Sequence, residues 1–189
     1  MDLSQRIRLI NLRPKEEWEK IKNEKSDISA MFTEYAVILA IIGPAANFIR
    51  QAFIGHTILG ERITTDIPTA LTAAVLSYVF SLGVTLFAGF IIDLLGPSFG
   101  ANRNINDSMK VAVFAMTPTW LAGIFALIPA LEFFQLMGIY SIYLLYEGLR
   151  IVKIPKPEKL IGYTVIVVIV GLAATLMAGV VVSALLFTS

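Results

Sequence analysis

Few side chains in this sequence could do chemistry. Asp93 and Glu147 are carboxylates at the edges of apolar runs, and Tyr140, Tyr143 and Glu147 share one helix face by their three- and four-residue spacing. Ionisable groups inside a membrane are costly and mark site candidates. The face carrying Tyr140, Tyr143 and Glu147 could line the water-filled cavity of a small-solute or ion transporter or channel. Alternatively, it could satisfy backbone groups freed at Pro118. Asp93 and Glu147 could act near lipid headgroups in a lipid-active enzyme, or could pair with Arg103, Lys110 or Arg150. No acidic residue falls in the middle of an apolar run, which weakens a charge pathway. The single histidine, His56, and the absence of cysteine leave a His-based triad or thiolate metal site nothing to work with. HExxH, GxSxG and P-loop motifs are missing. The expectation is therefore a non-enzyme with no cofactor and no metal.

The elements that must position these residues are membrane spans. The 189 residues are 57% hydrophobic and 15% charged, with a mean hydropathy of +0.77. Soluble domains are about half apolar at most. A span needs about 20 mostly apolar residues, and five segments qualify: 31–53, 70–95, 111–128, 131–152 and 160–187. Pro129 separates the third from the fourth. A single kinked helix through it would be about 60 Å long, twice the hydrocarbon thickness. A tight reversal is preferred, with a re-entrant hairpin as the alternative. The first apolar run begins near Ser29, too late for a cleaved signal peptide.

Lys and Arg set the orientation. Arg6, Arg8, Arg13, Lys15, Lys20, Lys22 and Lys25 precede span one, Arg103 and Lys110 follow span two, and Arg150, Lys153, Lys156 and Lys159 follow span four. Only Arg50 and Arg62 fall on the other side, so 13 of the 15 basic residues are cytosolic if there are five spans, with the N-terminus in the cytosol and the C-terminus outside. Four or six spans would break the alternation. The fold class is thus an all-α integral membrane protein: a five-helix transmembrane domain over 29–189, preceded by an amphipathic cytosolic segment over 1–28. In that segment Pro14 suits a first helical turn. Trp18, Ile21, Lys25 and Ile28, like Leu3, Ile7 and Ile10, recur at helical steps. The segment reads as a helix on the cytosolic leaflet or as a solvated helical lead-in.

Small residues recur every fourth position in two spans: Ala73, Ser77, Ser81, Thr85 and Gly89 before Asp93, and Gly171, Thr175, Gly179 and Ser183. Small residues let helices approach closely in lipid, so the two stripes are expected to pack together within one bundle, with a homodimer seam as the alternative. Gly43-Pro44 and Thr117-Pro118 are kink sites. Asn106-Asp107-Ser108 is a glycosylation sequon that this topology places in the cytosol, where it reads as a cap on span three.

Three blocks resemble the Yip family of Rab-interacting membrane proteins, in its short prokaryotic form. The first is Pro14-Lys15-Glu16-Glu17-Trp18 with Ile21-Lys22, Glu24, Ile28, Tyr35, Gly43-Pro44 and Phe48-Ile49. The second is Ala115-Met116-Thr117-Pro118 with Leu121 and Gly123. The third is Tyr140 and Tyr143-Leu144-Leu145-Tyr146-Glu147-Gly148-Leu149, ahead of a basic, Pro-containing linker. The family's eukaryotic members carry Asp-Leu-Tyr-Gly-Pro on the cytosolic side before their first span. Here Asp93-Leu94-Leu95-Gly96-Pro97 follows span two and lacks the Tyr, and the long cytosolic region is absent, so Rab binding is not carried over. The resemblance implies five spans and a role in membrane organisation or partner-protein binding. Expected partners are the lipid bilayer, other membrane or cytosolic proteins through Trp18 and the 150–159 loop, and a second copy of the chain, but not nucleic acid. The expected location is the plasma (inner) membrane if the source is prokaryotic.

Overall fold

The computed structural model is almost wholly helical and describes residues 2–25, 27–58 and 61–187. The Thr188-Ser189 tail, expected on the far side of the membrane, lies outside the described residues, as do the side chains of His56 and Arg62. Helices α1 (Leu3–Leu12) and α2 (Pro14–Asn23) form an N-terminal hairpin, with Pro14 in the first turn of α2. Four helices are long and apolar enough to cross a membrane: α3 (Ile28–Ile54), α4 (Ile67–Leu95, continued by the 3-10 turn Gly96–Phe99), α5 (Ile105–Leu127) and, after a 3-10 turn Pro157–Lys159, α7 (Leu160–Phe187). Between α3 and α4, strands β1 (His56–Ile58) and β2 (Glu61–Ile63) pair antiparallel. Asp66 caps α4, accepting from the Thr69 N–H at 3.0 Å, and that bond holds its carboxyl below the usual aspartate value.

The fourth apolar run is not one regular α-helix. Ile128 is extended (φ −117°, ψ 116°), Pro129–Ile139 is a 3-10 helix, α6 spans Tyr140–Gly148, and a π turn covers Leu149–Lys153. The break at Ile128 excludes a single kinked helix. The returning segment runs antiparallel to α5: the Thr119 hydroxyl donates to the Gly138 carbonyl at 3.2 Å, and the rings of Phe125 and Phe134 lie 5.3 Å apart, tilted at 35°.

Each helix breaks beside its proline, and a hydroxyl bonds one carbonyl left free at each break. In α3 the break at Ile41, ahead of Gly43-Pro44, leaves the Val37 carbonyl to accept the Tyr78 hydroxyl of α4 at 3.0 Å. In α5 the break is at Met116. Pro118 has no N–H for the Phe114 carbonyl, which takes the Thr117 hydroxyl at 2.8 Å, and Thr117 is closed by Tyr35 at 2.8 Å. The restarted helix has an orphan N–H at Thr119, which donates to Ser141 Oγ at 3.2 Å. Tyr140 and Tyr143 take no part in these bonds, contrary to one of the sequence readings.

The small-residue stripes do not interlock as expected. Helices α4 and α7 are neighbours, and Thr85 and Gly89 are buried. But an added Cβ at Gly171 or Gly179 would meet nothing within 4 Å, and Ser77, Thr175 and Ser183 are exposed. The stripes border a cleft instead of closing it. The close backbone approach lies elsewhere: a Cβ on Gly123 would sit 2.7 Å from the Gly43 Cα, where α5 crosses α3. That contact predicts opposite outcomes for two glycines. Gly123→Val should lower the thermal midpoint in detergent sharply, since overpacking a tight contact costs about 1–3 kcal/mol or more. Gly171→Ala should stay within about 0.5 kcal/mol of wild type.

Candidate functional site

One end of the bundle gathers the N-terminal hairpin, the loop after α4 and the segment leading into α7. The hairpin is held by a buried ion pair. Arg6 Nη1 lies 2.6 Å from Glu17 Oε1, with side chains 7% and 1% exposed, and Arg6 also bonds Glu24. The Arg6 guanidinium lies 5.3 Å from the centre of the Phe114 ring, a cation–π contact that fixes the hairpin on α5. Trp18 and Ile21 have no exposed surface. The indole packs so closely on Gly148 that a Cβ there would fall 2.8 Å from it, and it meets Phe114 edge-on at 6.4 Å. This corrects the sequence reading: the Trp18–Ile21 stripe neither lies on the leaflet nor faces water, because the bundle's own α5 and α6 cover it. Trp18 is thus a core residue and not a partner contact.

Asp93 is the centre of a second cluster. Its Oδ1 accepts from the Asn104 N–H at 2.8 Å and from the Ser108 hydroxyl at 3.2 Å, and its Oδ2 from Arg103 Nε at 3.4 Å. Lys153 Nζ stands 3.7 Å from Oδ1 and donates to the Asn104 carbonyl at 3.2 Å. One buried carboxylate thus joins the end of α4, the start of α5 and the end of the α6 segment. Arg103 was one of three basic partners that the sequence offered, whereas Lys153 was not among them. Asn104, not the sequon's Asn106, caps α5, accepting from the Asp107 N–H at 3.3 Å. Next to the cluster is a polar surface pocket of about 610 Å³ bounded by Arg103, Asp107 and Lys153.

Gly96 is buried and accepts from the Ala101 N–H at 2.9 Å, while Pro97 is exposed. They form the turn that sets Phe99 against Tyr163, stacked at 4.7 Å. Gly100 has φ +78°, and Lys156 packs where its Cβ would be. The Tyr140 hydroxyl donates to the Asn11 carbonyl at 3.1 Å, Glu147 is buried with Arg150 Nη2 at 2.6 Å, and Tyr143 is partly exposed beside Tyr140. Tyr140 and Glu147 thus have protein partners, and the sequence-read stripe holds the hairpin and the helix end. At the opposite end, Arg50 lies 2.9 Å from Glu132. Among the described residues there is no cluster of three His, Cys, Asp or Glu that could hold a metal.

One exposed residue has a backbone the sequence does not announce. Ile154, 58% exposed, has φ +47° and ψ 58°. The left-handed region is an outlier for a β-branched residue, and such strain clusters at functional sites. It sits at the tip of the segment that Lys153 anchors.

The Yip1 domain family model matches residues 7–178. The chain is 29% identical over 154 residues to the inner membrane protein YohC of Escherichia coli K12, covering 78% of each chain; the protein of the same name from Escherichia coli O6:H1 strain CFT073 matches equally. No solved structure matches the chain.

The Asp93 cluster predicts non-additive mutational effects. Asp93→Asn should cost about 3–5 kcal/mol by leaving Lys153 buried without its anion, and adding Lys153→Met should recover much of the loss. Thermal unfolding in detergent reads both. In the same assay Ile154→Gly should raise stability by about 1 kcal/mol by relieving the left-handed strain.

Proposed function

Because the chain belongs to the Yip1 domain family, we propose that this integral membrane protein is a non-enzymatic, five-span protein that binds partner proteins through a preformed cytosolic surface. Such binding would serve membrane organisation. The chain's 13 clustered basic residues support a cytosolic N-terminus and an outside C-terminus. The fifth crossing is the segment between α5 and α7. At about 2 Å per 3-10 residue and 1.5 Å per α residue, 129–153 extends roughly 40 Å, enough for a core of about 30 Å. Its contacts support the same view: Glu132 meets Arg50 at one end, while Tyr140 reaches Asn11 and Lys153 reaches Asn104 toward the other. The relatives' printed names place those proteins in the inner membrane, and we extend that location to this chain.

The observation that carries the binding proposal is the exposed, left-handed Ile154 beside the Asp93–Lys153 pair. Asp93 and Lys153 fix its base, and the strained, exposed isoleucine lies close in the chain to the exposed Arg150, Lys156 and Lys159. An apolar anchor ringed by charge resembles an interface core with a polar rim. The partner class is a membrane-associated or cytosolic protein with an acidic rim.

Affinity purification in mild detergent, after crosslinking in cells, tests this directly. Wild type should recover a partner protein, and Ile154→Asp should reduce its recovery at least about tenfold, the scale of one lost hot spot, with a thermal midpoint no lower than that of wild type. No partner with wild type, or equal recovery with the variant, would contradict the proposal.

A further inference from the structure

A cleft of about 310 Å³ opens among α4, α5, α6 and α7, and a second cavity of about 280 Å³ shares Val84, Met116 and Thr175 with it. Together they make one groove along α4 from Ser77 to Ile92. At the helical rise that is about 22 Å, longer than one leaflet's share, about 15 Å, of the hydrocarbon core. The groove's mouth is bordered by Leu172, whose side faces outward, with Leu176 exposed one turn on.

Its chemistry suits hydrocarbon. The walls include Ile92, Ala112 and Val167, and the hydroxyls at its centre already have protein partners. Thr85 donates to the Ser81 carbonyl and Thr175 to the Gly171 carbonyl, each at 2.9 Å, and Thr119 pairs with Ser141 at 2.8 Å. A hydrated solute entering there would lose water bonds without replacement. A transmembrane helix does not fit either. Over 22 Å a helix about 10 Å across displaces roughly 1,700 Å³, several times either cavity, whereas a single acyl chain is far thinner. At the groove's inner end Ile92 adjoins Asp93, and exposed Arg103, Lys156 and Lys159 stand on the same end of the bundle. Clustered cations at a membrane surface attract anionic headgroups.

We propose that this groove holds one acyl chain of an anionic phospholipid, with its phosphate level with Arg103, Lys156 and Lys159. The small-residue stripes are thereby assigned to lipid seating: Gly171 and Thr175 keep the groove open where larger side chains would fill it. Which leaflet supplies the lipid rests on the orientation proposed above, but the occupancy of the groove does not.

The test is native mass spectrometry of the full chain extracted in mild detergent from vesicles of palmitoyl-oleoyl phosphatidylglycerol. Wild type should retain one phospholipid per monomer. The double variant Gly171→Leu, Thr175→Leu should retain at least tenfold less. Circular dichroism and the thermal midpoint of the variant should match wild type, because an added Cβ at Gly171 meets nothing. A second readout uses Trp120, which donates to Ser81 Oγ beside the groove at 3.3 Å. In a Trp18→Phe background, phospholipids brominated on the acyl chain should quench Trp120, and the filled groove should abolish the quenching. A wild type without bound lipid, or equal retention by the filled variant, would overturn the proposal. A dimer mass that the filling substitutions abolish would overturn it in favour of a second copy. Equal retention of phosphatidylcholine and phosphatidylglycerol would overturn the headgroup assignment.

Discussion

In hydrocarbon every backbone N–H and C=O needs a partner within the protein, and this bundle contains two prolines that break that rule locally. The structure around them follows from the repair. The Phe114 carbonyl freed by Pro118 takes Thr117, Thr117 takes Tyr35, and the restarted helix recruits Ser141. At the other break Tyr78 reaches the Val37 carbonyl. These bonds link α3, α4, α5 and the segment after Pro129 at membrane depth, where hydrophobic burial offers helices little reason to associate. The Gly43–Gly123 crossing completes the same seam by backbone contact.

Polar groups that do not repair the backbone are placed at the two ends. At one, Asp93 draws Asn104, Ser108, Arg103 and Lys153 together, and Arg6 ties the N-terminal hairpin together through Glu17 and fastens it to Phe114. At the other, Arg50 meets Glu132. The middle is left to apolar side chains and inward-bonded hydroxyls. This division leaves a charged end, where Lys156 and Lys159 are exposed, beside a lateral apolar groove. The same Asp93 cluster lies between the two.

Much of this organisation was legible in the residues. The four long helices coincide with apolar runs, since a span of about 20 apolar residues has few other uses. Boundary placement also suggested that Asp93 would find a basic partner among Arg103, Lys110 and Arg150, and the structure gives it Arg103. Other features depend on distant neighbours and left no local signal. A helical stripe such as Trp18–Ile21 reads alike whether lipid, water or protein covers it. Gly123 is one small residue among many until α3 is placed against it. The stripes on α4 and α7 read as a closed packing face, and nothing in their spacing tells that they border an open cleft. Nothing in Lys153-Ile154 tells that the first is buried against Asp93 or that the second is left-handed.

The five-span proposal requires that the chain returns across the membrane after Pro129, so that the loop at Pro129 and the turn before α7 face opposite sides. Because the sequence has no cysteine, single cysteines report position without background. The decisive measurement is labelling of Ala130→Cys and Glu158→Cys by a membrane-impermeant thiol reagent in vesicles of known orientation. Glu158→Cys should react only from the cytosolic side and Ala130→Cys only from the opposite side. Labelling of both from the same side would mean that the segment does not cross and would contradict the five-span bundle.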